Sequence, residues 1–138
     1  MIQYFKLLPQ KFGFVTTANF SEVKTKPNAA ENLEFIFDVQ PEDDIGGEGE
    51  FNLMTDRLVN ALKPLEPSGI VFRQDNLKIR GNAHVQSATN FESWWIADVS
   101  GKAGRDDFGY EFGYLVVSER VMNVIKDFTL RWCQIELS

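Results

Sequence analysis

The segment LMTDRLVNALK (53–63) recurs in outline as VVSERVMNVIK (116–126), 63 residues further along the chain. At this shift the polar positions keep their chemical character, and the remaining positions exchange one apolar residue for another. The matched polar pairs are Thr55 with Ser118, Asp56 with Glu119, Arg57 with Arg120, Asn60 with Asn123, and Lys63 with Lys126. The repeat predicts two similar packing units in one core, because the same apolar spacing buries the same face twice.

Both copies have the start and stop signals of a short helix. Thr55 and Ser118 are favourable N-cap residues, an acid follows each of them, and a lysine closes each last turn. Apolar residues recur at i, i+3, i+4 and i+7 in both copies, so each helix has one stripe to bury. These are Leu58, Ala61, Leu62 and Leu65 in the first copy, and Val121, Val124, Ile125 and Phe128 in the second. We predict equivalent helices at residues 54–63 and 118–128. Each is followed by a strand-like segment, at 70–74 and 130–134, so the predicted internal duplication is a helix and then a strand.

The rest of the chain favours β-structure. Segments rich in aromatic and β-branched residues are separated by turn-forming stretches, which is typical of strands. The predicted strands are 4–8, 12–17, 33–39, 70–74, 77–80, 93–99, 114–117 and 130–134. Two helices are too few for a doubly wound parallel sheet, which needs a helix at nearly every crossover. We predict one α+β domain over residues 1–138, with a mostly antiparallel sheet and the two helices packed on it in equivalent ways.

Charge and cysteine content limit the partners and the compartment. The net charge is −6, and no Lys or Arg lies between Glu31 and Asp56. Such an acidic field disfavours nucleic acid and anionic membranes and favours a basic protein surface. The alternative is that the charges only keep the protein soluble. The lone Cys133 and the lack of a long apolar run predict a cytoplasmic protein.

Catalytic and metal-binding motifs are missing from the sequence. His84 is the only histidine, and no acid or cysteine accompanies it at metal-ligand spacing. The glycine-rich stretch at 43–50 lacks the lysine of a phosphate-binding loop, and its acids do not follow the EF-hand pattern. We therefore expect a protein that is not an enzyme and binds no cofactor or metal. One alternative is a small enzyme with a cleft lined by carboxylates, namely Asp98, Asp106, Asp107 and Glu111. Another is a structural or adaptor module.

Arg57 and Arg120 do not fit simple helix chemistry, because a cation in the first turn opposes the helix dipole. Each arginine either pairs with a nearby carboxylate or orients a loop used in binding. Two interpretations are also open for Trp94 and Trp95, because adjacent residues on a strand point to opposite faces of the sheet. Either one tryptophan is exposed as an interface hot spot, or the strand is buried on both faces.

The C-terminal segment GYLVVSERVMNVIKDFTLRWCQIEL (113–137) resembles the C-terminal signature of a family of bacterial immunity proteins from polymorphic toxin systems. The earlier FNLMTDRLVNALKPLEPSGIVF (51–72) is similar to a second copy of that signature. The resemblance implies a non-enzymatic protein that binds and neutralises a toxin encoded beside it. Such toxins are delivered between cells by a secretion apparatus or a contact-dependent system. No catalytic residues are implied, and the oligomeric state is left open.

Two segments are candidates for toxin binding. Residues 42–50 contain three glycines, so we predict an exposed loop that enters a cleft of the toxin. Its carboxylates are Glu42, Asp43, Asp44, Glu48 and Glu50. If the toxin is a nuclease, these acids match the positive potential of its phosphate-binding site. The alternative is a solvated loop without a partner. The second candidate is the strand with Trp94 and Trp95.

Overall fold

The computed structural model describes residues 3–15, 33–74, 77–81 and 94–138. Within these ranges the fold is α+β, with twelve strands and two short helices, as predicted. Helix α1 spans Asp56–Leu62 and is followed by a 3₁₀ turn at Lys63–Leu65, and α2 spans Glu119–Ile125. Neither helix is long and apolar enough to cross a membrane. His84 and the end of the predicted strand 12–17 lie outside the described residues.

The strands form three sheets, and most neighbouring pairs are antiparallel. The strands are β1 (Tyr4–Leu8), β2 (Gln10–Lys11), β3 (Gly13–Val15), β4 (Leu33–Phe37), β5 (Ile45–Glu48), β6 (Phe51–Thr55), β7 (Ile70–Arg73), β8 (Leu77–Gly81), β9 (Trp94–Val99), β10 (Phe108–Glu111), β11 (Tyr114–Ser118) and β12 (Gln134–Leu137). Their orders are β10-β11-β1-β12, β2-β5-β6-β9-β7 and β3-β4-β8. Among the described strands, the parallel pairs are β2 with β5 and β4 with β8.

The repeated unit is larger than the helix and following strand predicted from the sequence, because a hairpin precedes each helix. It is a β-hairpin followed directly by a helix: β5, β6 and α1 in the first copy, and β10, β11 and α2 in the second. The boundaries of these elements all shift by the same 63 residues. The hairpin registers agree as well, because Ile45 pairs with Met54 and Phe108 pairs with Val117. The two predicted helices are therefore confirmed as equivalent elements.

Each hairpin is extended by a strand from outside its own copy. Strand β9 lies beside β6, with Trp95 opposite Met54, and β1 lies beside β11, with Phe5 opposite Val117. The outer neighbours are also equivalent, since β7 follows β9 and β12 follows β1 in their sheets. Strand β1 precedes the first copy in the chain but completes the sheet of the second copy. Strand β9 precedes the second copy but completes the sheet of the first copy. This exchange of strands joins the two copies.

The buried side chains form two clusters. The main cluster lies where both helices pack, and it takes the buried faces of α1 (Leu58, Val59, Leu62) and α2 (Val121, Met122, Ile125) together with residues of β1 and β11. The second cluster is largely aromatic. Its members are Phe12, Val15, Phe35, Phe37, Phe51, Leu53, Trp94 and Ile96. In this cluster the Phe12 ring meets the Phe37 ring edge to face, with centroids 5.0 Å apart.

Two predictions about local structure were wrong. Residues 45–48 form strand β5 rather than an exposed loop, and Asp43 and Asp44 are each only 3% exposed. The glycines permit close packing here, because a Cβ on Gly46 would lie 2.4 Å from the Phe12 ring. The predicted strand 130–134 is also misplaced, since the last strand, β12, begins at Gln134. A turn precedes β12, and its backbone N–H groups bond to a side chain instead of to a strand.

Candidate protein-binding site

An aspartate at the start of the first hairpin organises the first copy. The Thr55 hydroxyl donates to Asp44 Oδ1 at 2.6 Å, and Arg57 donates from Nε to Oδ1 at 2.8 Å and from Nη2 to Oδ2 at 2.5 Å. Thr55 is also the N-cap of α1, where its hydroxyl oxygen accepts from the Leu58 N–H at 3.4 Å. A buried carboxylate is thus fully paired, which removes most of the penalty for its burial.

The second copy repeats this arrangement atom for atom. The Ser118 hydroxyl donates to Asp107 Oδ1 at 2.5 Å, and Arg120 donates from Nε to Oδ1 at 2.9 Å and from Nη2 to Oδ2 at 2.6 Å. The Arg120 and Ser118 donors, with the Ser68 N–H, hold the pKa of the Asp107 carboxyl well below its ordinary value. Each helix-start arginine therefore pairs with a carboxylate, which confirms the first of the two predicted roles.

The same aspartates reach across to the other copy. The Thr129 N–H, in the segment after α2, donates to Asp44 Oδ2 at 2.8 Å. The Ser68 N–H, in the segment after α1, donates to Asp107 Oδ2 at 3.0 Å. Each carboxylate thus fixes the chain that leaves the opposite helix. The arginines help to orient these loops through the aspartates, and the use of the loops in binding stays a prediction.

Asp43 positions an exposed tryptophan. Its two carboxylate oxygens accept from the backbone N–H groups of Arg131 at 2.7 Å and Trp132 at 2.8 Å. The Trp132 indole N–H donates to Glu42, and Arg131 Nη1 lies 3.4 Å from the same carboxylate. The Trp132 side chain is nevertheless 56% exposed. Its backbone and its indole nitrogen are both held while its ring faces solvent.

An open hollow of about 540 Å³ lies beside this tryptophan. Its lining residues are Leu8, Pro9, Gln10, Lys11, Val39, Gln40, Glu42, Trp132 and Gln134. Three of them, Leu8, Val39 and Trp132, are large apolar side chains that remain exposed. We call the surface formed by Leu8, Val39, Glu42 and Trp132 the Trp132 face. Apolar rings and chains around a concave surface, with a carboxylate at the rim, are typical of a protein-binding site.

The two tryptophans singled out in the sequence do not form an exposed surface. Trp94 is only 6% exposed and packs in the aromatic cluster, with its ring centroid 5.3 Å from that of Phe12. Trp95 is half-buried, and Lys63 Nζ lies 4.3 Å from its ring centroid. Its indole N–H donates to Asp56 at 2.9 Å. The strand is covered on both faces. The structure therefore agrees with the second alternative, in which neither tryptophan is a free hot spot.

The five acids predicted to bind a toxin are not a single exposed cluster. Glu42 is exposed at the hollow, and Glu50 is half-buried. Asp43 and Asp44 are buried and fully engaged, and the side chain of Glu48 lies outside the described part of the structure. The structure therefore places one of the five, Glu42, beside Trp132, an exposed residue that the sequence pattern places in a strand. Asp43 contributes to this surface indirectly, because its carboxylate fixes the turn that carries that tryptophan.

A second, smaller hollow of about 340 Å³ lies beside Arg120, with Tyr4, Ser68 and Arg105 among its lining residues. The two copies differ at this place. In the first copy the Phe128 ring lies 5.1 Å from the guanidinium carbon of Arg57. No described aromatic ring covers Arg120 in this way. The asymmetry shows that the internal duplication is not complete at the surface.

Three of the four carboxylates of the enzyme alternative are engaged by other groups, and the fourth is exposed. Asp98 lies 3.7 Å from Arg73, and burial raises the pKa of its carboxyl. Asp106 accepts from the Lys102 N–H at 2.7 Å, and Asp107 is engaged by Arg120. Glu111 is exposed on β10. Within the described ranges, no three His, Cys, Asp or Glu side chains are placed to hold a metal ion.

Neither a protein-family model nor a curated protein matches this chain.

Proposed function

We propose that the protein is an immunity protein that neutralises a cognate toxin by stoichiometric binding, with the Trp132 face as the contact surface. The observation that carries the proposal is an indole that is held in place yet left exposed. Asp43 fixes its backbone, Glu42 binds its nitrogen, and the ring remains open to solvent. A rigid aromatic group loses little conformational entropy on binding, which suits it to be an interface hot spot.

The chemistry around the tryptophan supports a protein partner. Leu8 and Val39 supply apolar contact area next to the ring, and the concave hollow can take a projecting side chain. The net charge of −6 favours a toxin with a basic surface, because opposite charges raise the rate of encounter. The proposed site needs no cofactor. The proposed compartment is the cytoplasm, where the toxin would act.

Co-expression with the product of the adjacent gene tests this function. The wild-type protein should restore growth of cells that express this toxin, and the two proteins should purify together. The variant W132A should protect less and capture less toxin. Val71 offers a matched control, because it is an equally exposed apolar residue on strand β7, away from the lining of the hollow. V71A should protect like the wild type.

Three results would count against the proposal. A toxin that remains lethal beside the wild-type protein, with no complex in a pull-down, would exclude neutralisation by binding. A folded W132A that still protects fully would move the contact surface elsewhere, and circular dichroism of both variants checks that they are folded. Equal loss of protection by W132A and V71A would contradict a specific role of Trp132.

A further inference from the structure

Phe112 has an unusual position for a large apolar residue. It lies at the tip of the β10–β11 hairpin and is 93% exposed. Its backbone is in the left-handed region, with φ of 52°, and Gly113 follows with φ of 84°. Two positive φ values in a two-residue turn are typical of a type I′ turn, which favours Asn-Gly. A phenylalanine is unfavourable at the first of these positions, because its Cβ crowds the backbone there.

The equivalent position of the other copy also has a positive φ, although the turns differ at the next residue, since Gly113 has a positive φ and its equivalent Glu50 does not. The residue 63 positions earlier is Gly49, which has φ of 57° at the tip of the β5–β6 hairpin. Glycine adopts this conformation without steric strain. The first copy therefore meets the backbone requirement in the usual way. In the same place the second copy has a phenylalanine with a strained backbone and a ring exposed to solvent. Both features oppose folding, so the presence of this residue requires a reason other than the stability of the hairpin.

We infer that Phe112 is an anchor residue that inserts into an apolar pocket on the partner protein. This inference rests on the proposed function and adds a second contact to the Trp132 face. A hairpin tip projects its side chain away from the sheet, and a buried aromatic side chain is a major source of binding energy at interfaces. Glu111, the exposed neighbour, fits a pocket with a basic rim.

A lipid bilayer is the competing partner for an exposed aromatic tip. The charge argues against it, because the exposed Glu111 directly precedes Phe112 in the chain and the whole chain carries −6. Anionic membranes attract basic segments and repel acidic ones. A protein pocket is thus the occupant that the surroundings favour.

The variant F112N separates binding from folding. It should fold with equal or higher thermal stability, because Asn-Gly suits the turn. Its affinity for the purified product of the adjacent gene should fall at least roughly tenfold, as expected for loss of a hot spot. V71A, which removes exposed apolar atoms from strand β7, should keep the wild-type affinity. Isothermal titration calorimetry measures the affinities, and scanning calorimetry measures the stability.

Different outcomes reject different parts of the inference. Unchanged affinity of F112N, with a tight wild-type complex, would overturn the anchor role and leave the proposed function standing. A clear fall in thermal stability would also overturn it, because the ring would then pack on its own chain. Absence of any wild-type complex would overturn the proposed function and this inference with it. Binding to phosphatidylglycerol vesicles by the wild type, lost in F112N while toxin affinity is kept, would replace the protein pocket with a membrane.

Discussion

Arg120 binds Asp107 through two parallel hydrogen bonds, from Nε to Oδ1 at 2.9 Å and from Nη2 to Oδ2 at 2.6 Å. Arg57 and Asp44 form the same pair in the first copy. Paired, charge-assisted bonds of this kind fix both distance and orientation. The aspartate at the start of each hairpin is thereby joined to the helix that follows it. This contact defines the unit that is duplicated.

Replacing the aspartate should destabilise the fold. We expect D107N to lower the free energy of unfolding by roughly 2 kcal/mol, because it weakens charge-assisted bonds to a mostly buried group. D44N should have an effect of similar size, since its contacts are equivalent. Urea denaturation at pH 7 measures both. As a control, E111Q changes an exposed carboxylate and should stay within about 0.5 kcal/mol of the wild type. A D107N effect as small as that of E111Q would contradict the structural role.

The pair formed by Asp107 and Arg120 should also affect how the free energy of unfolding changes at acid pH. The Arg120, Ser118 and Ser68 donors lower the pKa of Asp107 in the folded state below the value of 3.8 for an unperturbed aspartate. A lowered folded-state pKa contributes stability above the unfolded pKa, and this contribution is lost as the pH falls toward the folded pKa. The wild type should therefore lose stability more steeply than D107N below about pH 4. Parallel stability curves for the two proteins would argue against this linkage.

The helices were predictable because their signals are local. Capping residues and apolar spacing act within one segment, and both helices begin directly after the predicted N-caps, Thr55 and Ser118. Both are shorter than the predicted ranges 54–63 and 118–128, because they end at Leu62 and Ile125. The aspartate partners were not identified, although the pairs Asp43–Asp44 and Asp106–Asp107 obey the same shift of 63 residues. Extending the repeat toward the N-terminus would have revealed them. The contacts between the copies, and the exchange of β1 and β9, depend on tertiary pairing that no local pattern encodes.

The exposed-loop prediction for residues 42–50 failed for a physical reason. Glycines and acids are typical of loops, but here Gly46 packs against the Phe12 ring and Asp43 accepts backbone N–H groups from a distant turn. The Trp132 face was missed for a related reason. Trp132 was assigned to a strand at 130–134, whereas the Asp43 carboxylate holds it in a turn. Contacts between residues more than thirty positions apart in the chain decided both outcomes.

Removing the charge of Glu42 and of Asp43 should therefore change the free energy of unfolding by different amounts. E42Q alters an exposed rim residue and should change the free energy of unfolding by less than about 0.5 kcal/mol. D43N should cost about 1–2 kcal/mol, because an amide has only one acceptor oxygen and one of the two partly buried bonds to the Arg131 and Trp132 N–H groups is lost. Thermal unfolding of the two variants at pH 7 checks the difference. Equal stability of E42Q and D43N would mean that Asp43 does not hold the turn of Trp132.

The single cysteine should be unreactive in the folded protein. Burial and the nearby Asp43 carboxylate raise the pKa of the Cys133 thiol to about 12. Since the thiolate is the reactive form, little of it is present at pH 8. Labelling with Ellman's reagent at pH 8 should be slow for the native protein and fast in denaturant. Cys133 is half-buried, so rapid labelling of the native protein at the rate seen in denaturant would contradict both its partial shielding and its raised pKa.

Calorimetric titration of a catalytically inactive form of the adjacent-gene toxin tests the central proposal most directly. Stoichiometric neutralisation predicts a saturable complex with a fixed ratio of the two chains. W132A should bind at least roughly tenfold more weakly than the wild type, as expected for loss of a hot-spot side chain. V71A should bind like the wild type. No detectable complex with the wild-type protein, or wild-type affinity in a folded W132A, would contradict neutralisation through the Trp132 face.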